Sequence, residues 1–166
     1  DIRRALSKVV REPLLAHDQG RAVERLAAMP LFADLTEDVL WAVSERLLLR
    51  HVPAGELVFA EGAPGDALYL IDSGRVEILS DKRSGSVVLA RMGADEFFGE
   101  MALFEDTVRS GSIRTETACR FMVLHKQEFK ELVREYPQIA LEICKVLSGR
   151  IRKLHQKIEQ RNYRKL

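Results

Sequence analysis

The sequence is short of the residues that would tie it to a metal, an oxidising compartment or a membrane. Its two cysteines, Cys119 and Cys144, have neither paired short spacing nor nearby histidines. That argues against a zinc knuckle or a disulfide framework and fits a reducing, cytoplasmic setting. The four histidines, His17, His51, His125 and His155, are scattered, with no His-x-His or His-x-x-x-His spacing. With no converging ligands, base or nucleophile, a metal-dependent barrel enzyme is not expected, and the chain reads as non-catalytic. The longest apolar stretches, such as Leu26 to Ala33 with Pro30 inside it, fall far short of the ~18 residues a membrane helix needs. No signal-peptide pattern is present and the first residue is Asp1 rather than methionine; the chain is therefore expected to be a segment of something longer.

What is present is ordinary for a globular domain. The 166 residues carry 26 Lys+Arg against 25 Asp+Glu, a net +1, with 46% hydrophobic and 31% charged residues. A chain of this size buries roughly 70% of its unfolded surface and needs no covalent staple. The charge is uneven. From Gly149 to Leu166 seven Lys/Arg face one acid, Glu159, a net +6 that leaves −5 on the rest. A basic helix end is favourable in any protein, and this tail has no interleaved aromatics except Tyr163, so nucleic-acid binding is not expected of this segment alone.

The hydrophobic period switches twice along the chain. Up to about residue 50 it is helical: Ile2, Leu6, Val9 and Val10 form one run broken by Pro13, a short helix spans Arg21 to Ala28, and Thr36 caps a third ending near Leu49. From about Val52 to Leu124 short strands are separated by Gly62, Gly65, Gly74, Gly85, Gly93 and Gly99. There Val76 and Ile78 alternate with Arg75 and Glu77, while Cys119, Phe121 and Val123 share one face opposite Arg120 and Met122. Short strands with glycine turns and no helices between them predict an antiparallel sandwich or barrel. The helical period returns at Lys126 and is stopped by Pro137. In the last segment Ala140, Cys144, Leu147, Ile151, Leu154 and Ile158 recur at heptad a/d spacing. This stripe is read as a self-pairing dimer helix, with a helix packed on its own barrel as the alternative and a missing partner helix as a third.

The chemistry lies in Phe97 to Ile113, FFGEMALFEDTVRSGSI. Gly99-Glu100 follows a strand end and opens a helix-prone turn, Met101 to Phe104, whose free amides attract an anion. Ten residues after Gly99 comes Arg109, suited to a bidentate grip on phosphate, then Ser110 with its hydroxyl. A carboxylate at Glu100 suits a ligand that also offers a sugar hydroxyl, and a single arginine suits a singly charged cyclic phosphodiester better than a triphosphate, which calls for Mg²⁺ and lysine. The tetrapeptide Arg-Ser-Gly-Ser occurs at Arg83 to Ser86 and again at Arg109 to Ser112, but only the second follows a Gly-Glu-x-Ala-Leu turn. The first is read as a hairpin loop.

Gly99, Glu100, Ala102, Leu103, Arg109, Ser110 and Ser112 together resemble, without a gap, the phosphate-binding cassette of cyclic nucleotide-binding domains. The resemblance extends over Pro30-Leu31-Phe32, Pro53-Ala54-Gly55-Glu56, Glu61-Gly62, Gly65-Asp66, Leu68-Tyr69 and Gly74, so it covers about residues 30 to 158. It implies a mainly β fold with flanking α, an antiparallel β jelly-roll barrel with N-terminal helices and a long C-terminal helix. It divides the chain into an N-terminal helical connector (1–29), the nucleotide-binding barrel with flanking helices (30–137) and a long C-terminal helix serving as lid and dimer helix (138–166). Glu100 is then expected to hold the ribose 2′-OH, Arg109 and Ser110 the cyclic phosphate, and the amides around Gly99, Met101 and Ala102 its oxygens. Ile78 and Leu89 would wall the base, and Ile151, Leu154 and His155 are candidates to cap it. The ligand is cAMP or cGMP, with cAMP favoured and no metal. Gly111 stands where the family has alanine or another small side chain, which suggests a looser loop and lower affinity.

The resemblance also frames the alternatives. Some members bind haem through histidine or cysteine, which the intact cassette argues against. The catabolite activator branch joins this barrel to a winged helix-turn-helix, for which these 166 residues leave no room. Kinase regulators carry tandem domains and an Arg-Arg-x-Ser motif that Arg3-Arg4-Ala5-Leu6-Ser7 matches only vaguely. The expectation is a regulatory module acting on an attached effector domain; the alternatives are the sensing part of a catabolite-activator-type regulator and a vestigial, non-binding interaction domain.

Overall fold

A computed structural model describes residues 12–82 and 84–163. The expected helix through Ile2, Leu6 and Val9, the Arg3-Arg4 motif, and Arg83 of the first Arg-Ser-Gly-Ser lie outside the described residues. The element order is β1 (Glu12–Pro13), α1 (Ala16–Ala28), α2 (Glu37–Glu45), β2 (Leu48–Val52), β3 (Leu57–Phe59), β4 (Ala67–Ser73), β5 (Val76–Lys82), β6 (Gly85–Met92), β7 (Phe97–Phe98), a 3-10 turn (Glu100–Leu103), β8 (Ser112–Thr115), β9 (Cys119–His125), α3 (Lys126–Glu135) and α4 (Gln138–Tyr163).

The strands form two antiparallel sheets, one in the order β1-β2-β9-β4-β7 and the other β3-β8-β5-β6. Their inward residues share a core: Val52, Tyr69, Ile71, Phe98, Phe121 and Val123 of the first sheet meet Val58, Val76 and Ile113 of the second. The first sheet is covered on its other face by the helices, where Leu68, Leu70, Met122 and Leu124 join Leu26, Phe32, Val43, Leu132 and Ile139. This explains one departure from the expected pattern. Cys119, Phe121 and Val123 do share a face, but Met122 opposite them is fully buried too, because β9 lies between a sheet and a helical layer.

Two helix boundaries move for similar reasons. The helix after Thr36 ends at Glu45, and Leu48–Val52 is a strand paired with β9. The run Leu47-Leu48-Leu49 satisfies a helical stripe and a buried strand equally well, and tertiary pairing decides between them. The helix expected from Arg21 begins earlier, at Ala16, after Pro13, which sits in the edge strand β1 where a missing N–H costs least. Asp81↔Ser86 and Lys82↔Gly85 pair across the β5–β6 turn, so Ser84 to Ser86 of the first copy belong to a hairpin.

α1 is bolted to the sheet by charge. Asp72 of β4, 3% exposed, receives Arg25, Arg21 at 3.0 Å and Arg120 at 2.6 Å, and Arg120 also reaches Asp18 at 2.8 Å. α4 packs only by its start. Ile139 and Ile143 are buried and Val146 and Leu147 half-buried, whereas Ala140, Cys144, Ile151, Leu154 and Ile158 of the heptad stripe are exposed. The inward face therefore runs one residue ahead of that stripe.

Candidate functional site

Gly99 follows β7 in the left-handed region (φ 80°, ψ 14°) and starts the 3-10 turn Glu100–Leu103, one residue earlier and tighter than the expected helical turn at Met101. A Cβ at Gly99 would lie 2.7 Å from Arg109 Nη1 and 2.9 Å from the Ala67 carbonyl oxygen, so glycine is needed here for conformation and for close approach. In this turn the Ala102 amide donates to Gly99 O at 3.2 Å, which leaves the amides at its first positions, rather than that of Ala102, as the donors a turn of this kind has to offer.

Arg109 is the centre of the site. It is 6% exposed. Its guanidinium stacks over the Phe59 ring at 4.1 Å, Nη2 donates to Ala67 O at 3.0 Å and reaches Asp66 Oδ1 at 3.4 Å, and Nε is buried without an acceptor among the described residues. Phe59 belongs to an aromatic cluster in which Tyr69 stacks on Phe98 at 5.1 Å and Phe121 meets both edge-on. The backbone around Arg109 is held too. Its N–H donates to Ala63 O at 2.7 Å, Gly62 N–H donates to its carbonyl at 2.8 Å, and Gly65 N–H donates to Thr107 O at 2.9 Å. One step on, the Ser112 hydroxyl accepts from Glu61 N–H at 2.8 Å. A cation fixed at both backbone and side chain has little freedom left to lose when it meets an anion.

These residues surround a cleft of about 460 Å³ lined by Gly99, Glu100, Met101, Ala102, Arg109 and Ser110, with Ile78, Phe59 and Ile113 supplying apolar wall. Leu89, expected to wall the base, does not line it: it stands on the outer strand β6, 57% exposed. Ile151, Leu154 and His155 lie on the exposed distal part of α4 and likewise do not line the cleft. Gly111 gives a different picture from the looser loop expected: a Cβ there would sit 2.9 Å from the Leu79 carbonyl oxygen, so the residue allows β5 and the loop to meet closely. Phe59, Asp66 and the Ala67 carbonyl also belong to the site, beyond the expected residues. Asp66 and Gly65 fell within a recognised motif, but nothing in the local sequence marks Phe59.

The loop is joined to the helices. Leu103 is buried in the helix-side core, Phe104 meets Phe129 of α3 edge-on at 5.6 Å, and Lys126 Nζ donates to Glu105 O at 2.8 Å and pairs with Asp106. Lys126 N–H also donates to the carbonyl of Asp66, whose side chain faces Arg109.

An arginine-centred cleft with a carboxylate beside it, set in a two-sheet β sandwich, characterises the module. The chain belongs to the cyclic nucleotide-binding domain family, whose model matches residues 49–136. It is 31% identical over 136 residues to a CRP-like cAMP-activated global transcriptional regulator from Mycobacterium tuberculosis, covering 81% of this chain and 61% of that protein. It is 35% identical over 108 residues to the cAMP-dependent protein kinase regulatory subunit of Aspergillus fumigatus, covering 65% and 26%. The N-terminal domain of a transcriptional regulator from Streptomyces coelicolor A3(2) superposes with a TM-score of 0.75 at 26% identity, covering 80% of this chain and 95% of that one. The chain thus spans less than two thirds of the length of either curated relative.

Proposed function

We propose that the chain is a cytoplasmic, non-catalytic cyclic mononucleotide sensor that prefers cAMP to cGMP and passes occupancy to an attached effector through its C-terminal helix. One observation carries the reading: a buried arginine in the cleft wall, stacked on an aromatic ring, with an Nε unpaired among the described residues and its carboxylate contact a long one, 3.4 Å to the exposed Asp66. A singly charged cyclic phosphate would displace Asp66 from Arg109 and gain charge-assisted hydrogen bonds, with Ser110 and the amides of the Gly99–Met101 turn completing the grip. Glu100 would accept a hydrogen bond from the ribose 2′-OH, and the base would lie on Ile78, with Leu89 reaching it only after movement of β6. The preference for cAMP is supported by the two curated relatives, both named for cAMP.

Coupling follows from the contacts of the loop with α3. A shift of Leu103 and Phe104 moves Phe129, and Pro137 at the α3–α4 junction lets α4 swing so that Ile151, Leu154 or His155 closes over the base. The ligand drives this only through tighter binding to the closed arrangement. The exposed stripe from Ala140 to Ile158 supports pairing of two α4 helices as a homodimer. We read the two sheets as halves of a jelly-roll barrel, residues 1–29 as a connector, and 138–166 as lid and dimer helix.

The test is isothermal titration with cAMP, cGMP and 5′-AMP. Micromolar or tighter binding of cAMP, with cGMP weaker and 5′-AMP weak, is expected; no heat with either cyclic nucleotide would leave a fold kept for protein contacts.

A further inference from the structure

Phe59, on which Arg109 stacks, also lines a second and smaller cavity of about 280 Å³. Its walls mix the apolar side chains of Leu48, Val58, Pro64 and Val123 with the polar Tyr69, Asp66, His125 and Arg50 of β2. The partners of Arg50 are all neutral. Nη1 donates to the Tyr69 hydroxyl at 3.0 Å, Nη2 donates to Val58 O at 3.3 Å, and Nε is enclosed with no acceptor among the described residues. The other arginines that reach into the structure each face a carboxylate: Arg25 and Arg120 face Asp72, Arg109 faces Asp66, and Arg114 faces Glu77. Among the described residues no carboxylate lies within 4.0 Å of Arg50. A partly buried cation without an anion is costly, and folds seldom keep one with nothing to balance it.

We propose that this cavity is a second ligand site, one that takes a small organic monocarboxylate. The guanidinium turns toward the cavity, giving up the long bond to Val58 O, and presents its Nε edge to the carboxylate in a two-point pair. The short apolar body of the ligand lies against Val58 and Val123. The size supports a small ligand, since the cavity falls just below the roughly 300–1,000 Å³ of drug-sized pockets. Asp66 in the lining opposes any anion, and a dianion about twice as strongly as a monoanion, so the Arg50 guanidinium balances a single negative charge best. Phe59 and Asp66 touch both Arg109 and this cavity, so the site is read in the chain free of cyclic nucleotide.

The test is a titration of the isotopically labelled chain with sodium butyrate, following the Arg50 Nε–H signal and the Val58 and Val123 methyls by NMR. Sodium chloride at matched ionic strength, butanol and inorganic phosphate serve as the other arms. Butyrate is expected to give saturable shifts at those groups with a Kd of about 1 mM. Butanol and chloride should give none and phosphate weaker ones. Arg50→Leu should abolish the response, and Arg50→Lys, which keeps charge without the fork, should weaken it at least about tenfold. If Arg50→Leu loses its folded circular dichroism spectrum, the lysine variant decides. Shifts that follow ionic strength alone, phosphate binding tighter than butyrate, or an unchanged butyrate affinity in Arg50→Lys would each overturn the assignment.

Discussion

Replacing Gly99 by alanine separates two roles that the structure assigns to one residue. Gly99 has φ 80°, and its absent Cβ would meet Arg109 Nη1 at 2.7 Å and the Ala67 carbonyl oxygen at 2.9 Å. Gly55 has nearly the same φ, 78°, with nothing within 4 Å of the Cβ position. Gly55→Ala therefore reads the conformational penalty alone, about 1–2 kcal/mol for a left-handed alanine. The unfolded-state entropy gained by losing a glycine offsets part of that, equally in both variants. Gly99→Ala adds a clash in which the carbonyl belongs to the internal strand β4 and cannot retreat, so about 1–3 kcal/mol of overpacking is added, or Arg109 is pushed off its seat. Urea denaturation should show Gly99→Ala less stable than Gly55→Ala by about that second amount. Nucleotide titration should show affinity lost in Gly99→Ala and kept in Gly55→Ala. Equal stability and equal affinity in the two variants would refute the close-approach argument.

Three further outcomes are expected. Arg109→Leu should weaken cAMP binding by about 2 kcal/mol, near 30-fold in Kd by isothermal titration, since it removes the charged donors of the cleft; an unchanged Kd would mean the phosphate sits elsewhere. Ile151→Glu, at a position 56% exposed in the monomer, should turn a dimer into a monomer by light scattering while leaving thermal stability almost unchanged, and a parent chain that is already monomeric removes the dimer reading. Burial pushes the Asp18 carboxyl up, but the Arg120 hydrogen bond and charge, with His17 and Arg21, outweigh it and hold it below the ordinary 3.8. A depressed folded value contributes stability above the unfolded one that is lost as pH falls through the folded one. Asp18→Asn should therefore flatten the acid limb of urea midpoint against pH below about pH 4, and an unchanged limb would deny the ion pair its role.

The parts of the molecule legible in the sequence are those whose chemistry is contiguous. Gly99 to Ser112 is one loop with the geometry of one turn, so spacing alone placed Glu100, Arg109 and Ser110 on one cleft. Phe59, Asp66 and Ala67 reach Arg109 from more than forty positions away in sequence, and no local period encodes that meeting. The position of Leu89 away from the cleft has a related reason: alternation says which way a strand residue points, but not that β6 is the outermost strand of its sheet. The heptad stripe of α4 was visible, yet its spacing could not show that Ile139 and Ile143, one position earlier, are what the core takes. Two apolar faces on one helix look like one broad stripe until the neighbours are known.

The distribution of packing suggests where a ligand's free energy can act. β4 lies between β9 and β7 with both faces buried, and it carries the Ala67 carbonyl that seats Arg109, the Tyr69 ring of the aromatic cluster and the Asp72 carboxylate that holds α1. A strand so constrained is among the last parts to open, so it fixes the arginine rather than moving with it. The 3-10 turn and α4 are the opposite case. The turn is held by few backbone bonds, the residues just after it touch α3 through Phe104 on Phe129 and through Lys126 on Glu105 and Asp106, and α4 beyond Gly149 is exposed. Moving α4 beyond Gly149 breaks little packing, and the turn moves by repacking Leu103 within the helix-side core, so the differential affinity of a small ligand acts there rather than on β4. A substitution in β4 should therefore change affinity and stability together, whereas one in α4 beyond Gly149 should change the response to ligand while leaving global unfolding nearly untouched. Hydrogen exchange with and without cAMP reads this directly: protection should change in Met101–Phe104 and α4 and stay flat in β4, and a ligand effect concentrated in β4 would reverse the assignment of rigid and moving parts.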